Sequence, residues 1–271
     1  MSFEEKGYAY RSIEENQVDW GMKLLKIAVI LLVISFSIFF IESLVETFTG
    51  IGKSYVEPVY SAISLGPYVF LSVLLYIHNF LITIAILTLT IGLFCLSKII
   101  PAPANNKMKI IAYVFLSIIL VTFIVGISAN IALVSMNNSY KYAQISNILV
   151  LIQKIMTYLI LSIGGLLIIK QVTKLSEIQG NGTVGGKNIP IVAIVFYGLW
   201  IIGKIVYYAI LLNDPYITNE ILVIVLDVSV YVENIGQLLY AAFAMIGFII
   251  TLIKLRKLSV EEIAMASTKL Y

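Results

Sequence analysis

Uninterrupted apolar runs of membrane length constrain this chain more than any other feature. Stretches such as "IAVILLVISFSIFFI" and "IVAIVFYGLWIIG" carry no charge and run well past the length of an ordinary buried strand. An α-helix rises about 1.5 Å per residue, so about 20 apolar residues cross a hydrocarbon core about 30 Å thick. Six segments meet that requirement, at about 24–44, 76–97, 110–135, 147–169, 190–212 and 235–253. A transmembrane barrel would show segments of about ten residues with alternating character, whereas these runs are continuous. The expectation is an all-α, polytopic transmembrane bundle of six spans set in a lipid bilayer.

Composition points the same way. The chain is 60% hydrophobic and 12% charged, with a mean hydropathy of +1.00, against about 45–50% apolar and about 25% charged in soluble domains. The first run is too long for a signal peptide, lacks a small-residue cleavage site, and follows a segment with five acidic residues, so it reads as an uncleaved anchor.

Lysine and arginine resist translocation and collect in short cytoplasmic segments. With six spans, fourteen of the eighteen fall on the face that carries both termini, and only Lys53 and Lys141 on the other. Both termini are therefore expected in the cytoplasm of a multi-pass protein of the cell membrane, with residues 1–23 and 258–271 as cytoplasmic segments and 24–257 as the membrane domain. Topology accounts for the net charge of +3, so no nucleic-acid partner is implied.

The glycine-rich stretch "EIQGNGTVGGKNIP", in the cytoplasmic linker 170–189 and its junction with the fifth span, resembles a phosphate loop only superficially. A P-loop places glycine five residues before its second glycine and Ser or Thr after its lysine. Here those positions hold Asn181 and Asn188. The segment joins two spans, and Pro190 suits a helix's first turn, so it reads as a flexible connector. Asn181 and Asn137 both stand in glycosylation-type triplets, and only Asn137 falls on the outer side. Ser259 and Glu262 offer a capping box for a short C-terminal helix.

Two segments exceed the bilayer's thickness. Tyr68–Leu96 has no strong breaker, and Ser72, Tyr76, Asn79, Thr83, Thr90 and Ser97 share one helical face, a polar stripe suited to neighbouring helices or water. Glu220–Lys257 is interrupted only by Gly236 and Gly247, and Glu220, Asp227, Tyr231 and Asn234 share a face. "DVSVYVE" also alternates like a strand, but a lone strand would lack partners, so helix is expected. Residues 45–70 and 213–234 then form a crown on the outer side. On the third span, Thr122, Gly126 and Asn130 mark close helix packing.

Charges within a span cost about 2.5–3.5 kcal/mol on insertion scales and require a partner, a snorkelling route or a function. Lys154 and Lys204 sit at similar depth in the outer leaflet, alongside Glu42, Glu46, Glu233 and His78. Lys204 shares a face with Tyr197, Trp200 and Tyr208, and Lys154 with Asn147, Tyr158 and Gly165. Hydroxyls and aromatic faces of this kind stabilise an ammonium where water is scarce, while long stems alternatively carry lysines outward to the interface.

Candidate residues for a ligand or ion pathway are thus Lys154, Lys204, Glu42, Glu233, Asp227, Tyr197, Tyr208, Asn79, Thr83 and Thr90. Transport is the first functional expectation, and a non-catalytic subunit or scaffold of a membrane complex, including a homo-oligomer, is the second. Enzymatic chemistry is not expected. Cys95 and His78 are single, which removes internal disulfides, cysteine-rich metal sites and intrachain histidine-pair haem, and the spans hold no aspartate pair. No cofactor is called for.

Overall fold

A computed structural model describes residues 3–49, 65–98, 104–134, 188–213 and 220–257, together with parts of the stretch 148–167. Every secondary-structure element among them is a helix: α1 (Phe3–Thr49), α2 (Leu65–Ser97), α3 (Ala104–Val134), α4 (Ile189–Asn213) and α5 (Glu220–Lys257). The described positions of 148–167 are helical as well. Lys154, Asn137, the loop at Asn181, the capping residues Ser259 and Glu262, and most of the crown at 45–70 lie outside the described residues. So do the side chains of Ser72, Thr122, Gly126 and Asn130.

Helix limits follow local chemistry. Pro67 stands in the first turn of α2, where its missing N–H costs nothing. That helix closes with a tight turn from the Lys98 amide to the Cys95 carbonyl at 3.4 Å, and Pro101 and Pro103 stop it from continuing. At the start of α4, Asn188 accepts the Val192 amide at 3.0 Å, and Pro190 again occupies a position that needs no donor. Pro215 lies two residues past the end of α4.

Among the described residues, four helices are long and apolar enough to cross a membrane: Asp19–Phe48, Tyr76–Ser97, Ile189–Ile210 and Glu220–Lys257. They coincide with the expected first, second, fifth and sixth runs, and the chain is compatible with an integral membrane protein. The sequence reading needs enlarging at two places. No proline interrupts the first run, and α1 extends back to Phe3 through most of the segment expected to precede it. The ambiguous "DVSVYVE" is helical throughout, inside the 38-residue α5.

The chain divides into two compact units: Met1–Leu31 with Thr83–Gly185 and Ile249–Tyr271, and Leu32–Ile82 with Gly186–Phe248. In the first unit, α1 and α2 meet through two glycines. A Cβ on Gly92 would lie 3.2 Å from the Gly21 carbonyl oxygen, and one on Gly21 would lie 3.0 Å from the Leu96 side chain. Around this crossing Met22, Leu25, Ala28, Leu89, Leu93 and Leu96 are buried. Gly164 provides the space that the Phe115 ring occupies.

In the second unit the core is aromatic. Phe36, Phe39, Tyr197, Trp200 and Tyr240 are buried, with Trp200 stacked on Tyr240 at 6.1 Å and Phe36 edge-on to Tyr240 at 5.8 Å. Such pairs add about 0.5–1.5 kcal/mol each beyond the area they bury. Replacing Gly92 by valine should force the α1–α2 backbones apart, costing about 1–3 kcal/mol as overpacking does. Its thermal melt in detergent should fall well below that of the parent chain, while Gly198→Ala, at a position with open space around it, should leave the melt near the parent value.

Candidate functional site

The charged residues of the second unit are organised by a second glycine crossing, between α4 and α5. A Cβ on Gly203 would lie 2.7 Å from the Glu233 amide nitrogen and 2.8 Å from the Ser229 carbonyl oxygen. One on Gly236 would lie 2.5 Å from the Trp200 amide nitrogen. Backbone meets backbone at both points, and neither partner can yield as a side-chain tip would. The close approach carries Lys204, the neighbour of Gly203, to Glu233: Lys204 Nζ and Glu233 Oε1 are 2.5 Å apart, with side chains 17% and 15% exposed.

Polar groups continue from this pair. Tyr208 and Glu46 lie within electrostatic reach of Lys204. One turn along α5 from Glu233, the Gln237 amide donates to Ser43 Oγ at 3.0 Å and to Glu46 Oε2 at 3.1 Å, joining α5 to α1. Glu42, one turn before Glu46, is only 4% exposed. Asn234 is buried, and its Nδ2 has no hydrogen-bond partner among the described residues.

His78 is fully buried and stacks on Phe39 with ring centroids 4.7 Å apart. Its Nδ1 lies 2.8 Å from the Ser35 carbonyl oxygen and 2.8 Å from Ser35 Oγ. A carbonyl only accepts, so Nδ1 carries the proton. Ser35 Oγ in turn donates to the His78 carbonyl at 3.1 Å. The reciprocal bonds tie α1 to α2.

The structure thus joins some of the residues expected from sequence and separates others. Lys204 and Glu233 pair, and Tyr208 lies beside them. Tyr197 packs against Trp200 and Tyr240 at 5.8 and 5.4 Å, contributing to the aromatic core. Glu42 is buried in the same unit. Asp227 is exposed on α5, so the face proposed to link Glu220, Asp227, Tyr231 and Asn234 is split, with only Asn234 buried. The polar stripe of α2 divides as well. Tyr76, Asn79 and Thr83 are exposed, whereas Thr90 and Ser97 are buried and donate to the carbonyls of Ile86 and Phe94 in their own helix. Hydroxyls satisfied in this way do not require a neighbouring helix or water. Thr83 and Thr90 belong to the first unit.

Sequence reasoning missed Gln237, Ser43 and Gly203, and it read Gly236 only as an interruption of a long helix; Lys254 is buried. Gln237 stands four residues after Glu233, the spacing that places both on one helix face. That signal was available. Comparison with known proteins adds nothing further: no family model, no curated protein and no solved structure matches the chain.

The crossing generates a test. Gly236→Ala should push α5 away from Trp200, with a cost of about 1–3 kcal/mol typical of overpacking, and should loosen the Lys204–Glu233 pair. Thermal melting reads the first effect, and faster modification of Lys204 by an amine-reactive reagent, mapped by mass spectrometry, reads the second. At His78, asparagine retains a donor near the position of Nδ1 and phenylalanine does not, so His78→Asn should melt above His78→Phe by the worth of a hydrogen bond, about 0.5–1.5 kcal/mol.

Proposed function

We propose that the chain is a six-span protein of the cell membrane, with both termini cytoplasmic, that moves a small polar or ionic solute by way of the cluster around Lys204 and Glu233. The observation that carries this reading is the part-buried ion pair itself. Removing two charges from water is expensive, and well-packed apolar residues at such positions are often as stabilising or more so. A charged pair retained within apolar helices is therefore a candidate site, especially where further polar groups surround it. Glu42, Glu46, Ser43, Gln237 and Tyr208 supply those groups, and together they offer carboxylate, amide and hydroxyl ligands to a solute that displaces the pair. No step in this reading needs a cofactor or covalent chemistry.

Charge reversal separates a site from a structural clasp. Lys204→Met and Glu233→Gln should each lower the melt, because each leaves one charge without its partner. The exchanged variant Lys204→Glu with Glu233→Lys should recover much of that loss. In proteoliposomes loaded with a panel of inorganic ions and small polar solutes, parent-chain flux should fall by roughly an order of magnitude in both single variants and remain low in the exchanged one. Flux equal to the parent in all three variants would remove the transport reading. So would exchange that restores flux along with stability.

The second reading, a non-catalytic subunit or scaffold, draws on a different observation: α5 presents an apolar stripe away from its own packing face.

A further inference from the structure

Charge divides the two compact units. The one formed by Met1–Leu31, Thr83–Gly185 and Ile249–Tyr271 holds fifteen Lys and Arg against eight Asp and Glu, a net +7, while the other holds three against seven, a net −4. The count covers every residue of each unit, so the excess of positive charge in the first belongs to the whole of it.

Within that unit the fold gathers basic residues at the junction of α2 and α3. Six residues join Ser97 to Ala104, so Lys98, just past the end of α2, stands near Lys107 and Lys109 in the first two turns of α3. The last turn of α2 also lies against α1, where a Cβ on Gly21 would be 3.1 Å from the Cys95 side chain. That contact brings Asp19 and Lys23 to the same place, but their charges are spent on each other at 2.6 Å. Among the described residues Lys98, Lys107 and Lys109 form no ion pair, and Lys98 and Lys107 are exposed.

The junction stands at an apolar boundary. The span Tyr76–Ser97 ends one residue before Lys98. On α3, Lys109 is followed by Ile110 and, one turn on, by Tyr113, which are 61% and 57% exposed. A soluble anion would use the ammonium groups alone. A phospholipid uses both parts, its phosphate at the lysines and its chains along Ile110 and Tyr113. Basic residues and tyrosine at the end of an apolar helix suit the headgroup level of a bilayer, and basic clusters there hold anionic headgroups.

We propose that this junction binds the headgroup of an anionic phospholipid, with the ammonium groups of Lys98, Lys107 and Lys109 turned to its phosphate. A zwitterionic headgroup carries a cation of its own, which the three lysines repel, so the junction selects lipids of net negative charge. The proposal requires only that the chain sit in a membrane, and it is independent of what Lys204 and Glu233 do.

The test uses the full chain in a non-ionic detergent, titrated with phosphatidylglycerol, phosphatidylcholine or inorganic phosphate. Native mass spectrometry counts bound lipid, and thermal melting reads stability. Phosphatidylglycerol should bind and raise the melt, and the other two should do neither. Each lysine beside an anionic headgroup is worth roughly a five-fold gain in affinity, so replacing all three by glutamine should weaken phosphatidylglycerol binding about a hundred-fold. Replacing all three by arginine should retain it. An equal response to phosphatidylcholine overturns the proposal, because the lipid is then held by its chains alone, and an equal response to phosphate overturns it in favour of a free anion. Unchanged binding in the glutamine variant overturns it as well, since the headgroup would then sit elsewhere. A readout on the parent chain covers the case in which the glutamine variant does not fold. Acylation of Lys98, Lys107 and Lys109 by an amine-reactive reagent, mapped by mass spectrometry, should slow several-fold with phosphatidylglycerol relative to phosphatidylcholine, and equal rates overturn the proposal.

Discussion

Hydrocarbon offers no hydrogen-bond partner, and a helix that crosses it has to satisfy its polar groups from within the protein. Many of the described hydroxyls meet this constraint in the simplest way. Ser37, Ser43, Thr47, Thr88 and Thr90 each donate to the carbonyl four residues earlier in their own helix. Such a hydroxyl is polar in composition and nearly apolar in effect, because its donor is already used. Side chains too long or too charged to turn back on their own helix require a neighbour. Lys204, Glu233, Gln237 and His78 each bond to another helix, and short hydroxyls join them only where a neighbouring helix is close, as Ser35 does with His78 and Ser37 with Met245.

Whether a neighbour is close enough is decided by glycine. Gly203 and Gly236 remove the side chains that would hold α4 and α5 apart, and the same approach sets Lys204 against Glu233. An ion pair between part-buried groups depends on good geometry to offset desolvation. The crossing contributes that geometry through the backbone, which is stiffer than any rotamer choice. Gly21 and Gly92 perform the equivalent packing role between α1 and α2, where the charges beside Gly21, Asp19 and Lys23, pair with each other within α1 and stay exposed. The two crossings therefore share a packing logic and differ in chemistry: the charges beside the first pair along one helix, and those at the second pair between helices.

Much of the helical architecture was legible because it rests on long-range averages: run length, absence of breakers and proline placement. The Lys204–Glu233 pair was legible in part, since depth along two spans placed both charges in one zone. Depth carries no azimuth, however, and without azimuth Asp227 seemed as good a candidate as Glu233, six residues away on α5. The structure leaves Asp227 exposed and draws Glu233 inward. The polar stripe of α2 misled for another reason. Helical periodicity reports which residues share a face, but not whether a hydroxyl has already bonded to its own backbone, as Thr90 has. The glycines carried the azimuth, because a glycine inside an apolar helix costs about 1 kcal/mol relative to alanine and most often marks a close approach.

The ion pair and the crossing also form one mechanical element. Lys204 follows Gly203 directly, and Glu233 lies one turn from Gly236. Separating α4 from α5 would expose the glycine backbones and part the charges in the same movement, so the two costs cannot be incurred independently. A solute able to replace one member of the pair would offset the electrostatic part of that cost alone, leaving close packing to draw the helices together again once the solute departs. Under the transport reading, this coupling gives the cluster a closed state held by packing and an open state that depends on occupancy. A structural clasp has no such dependence: its strength lies in the pair, and it serves equally well with the two charges exchanged.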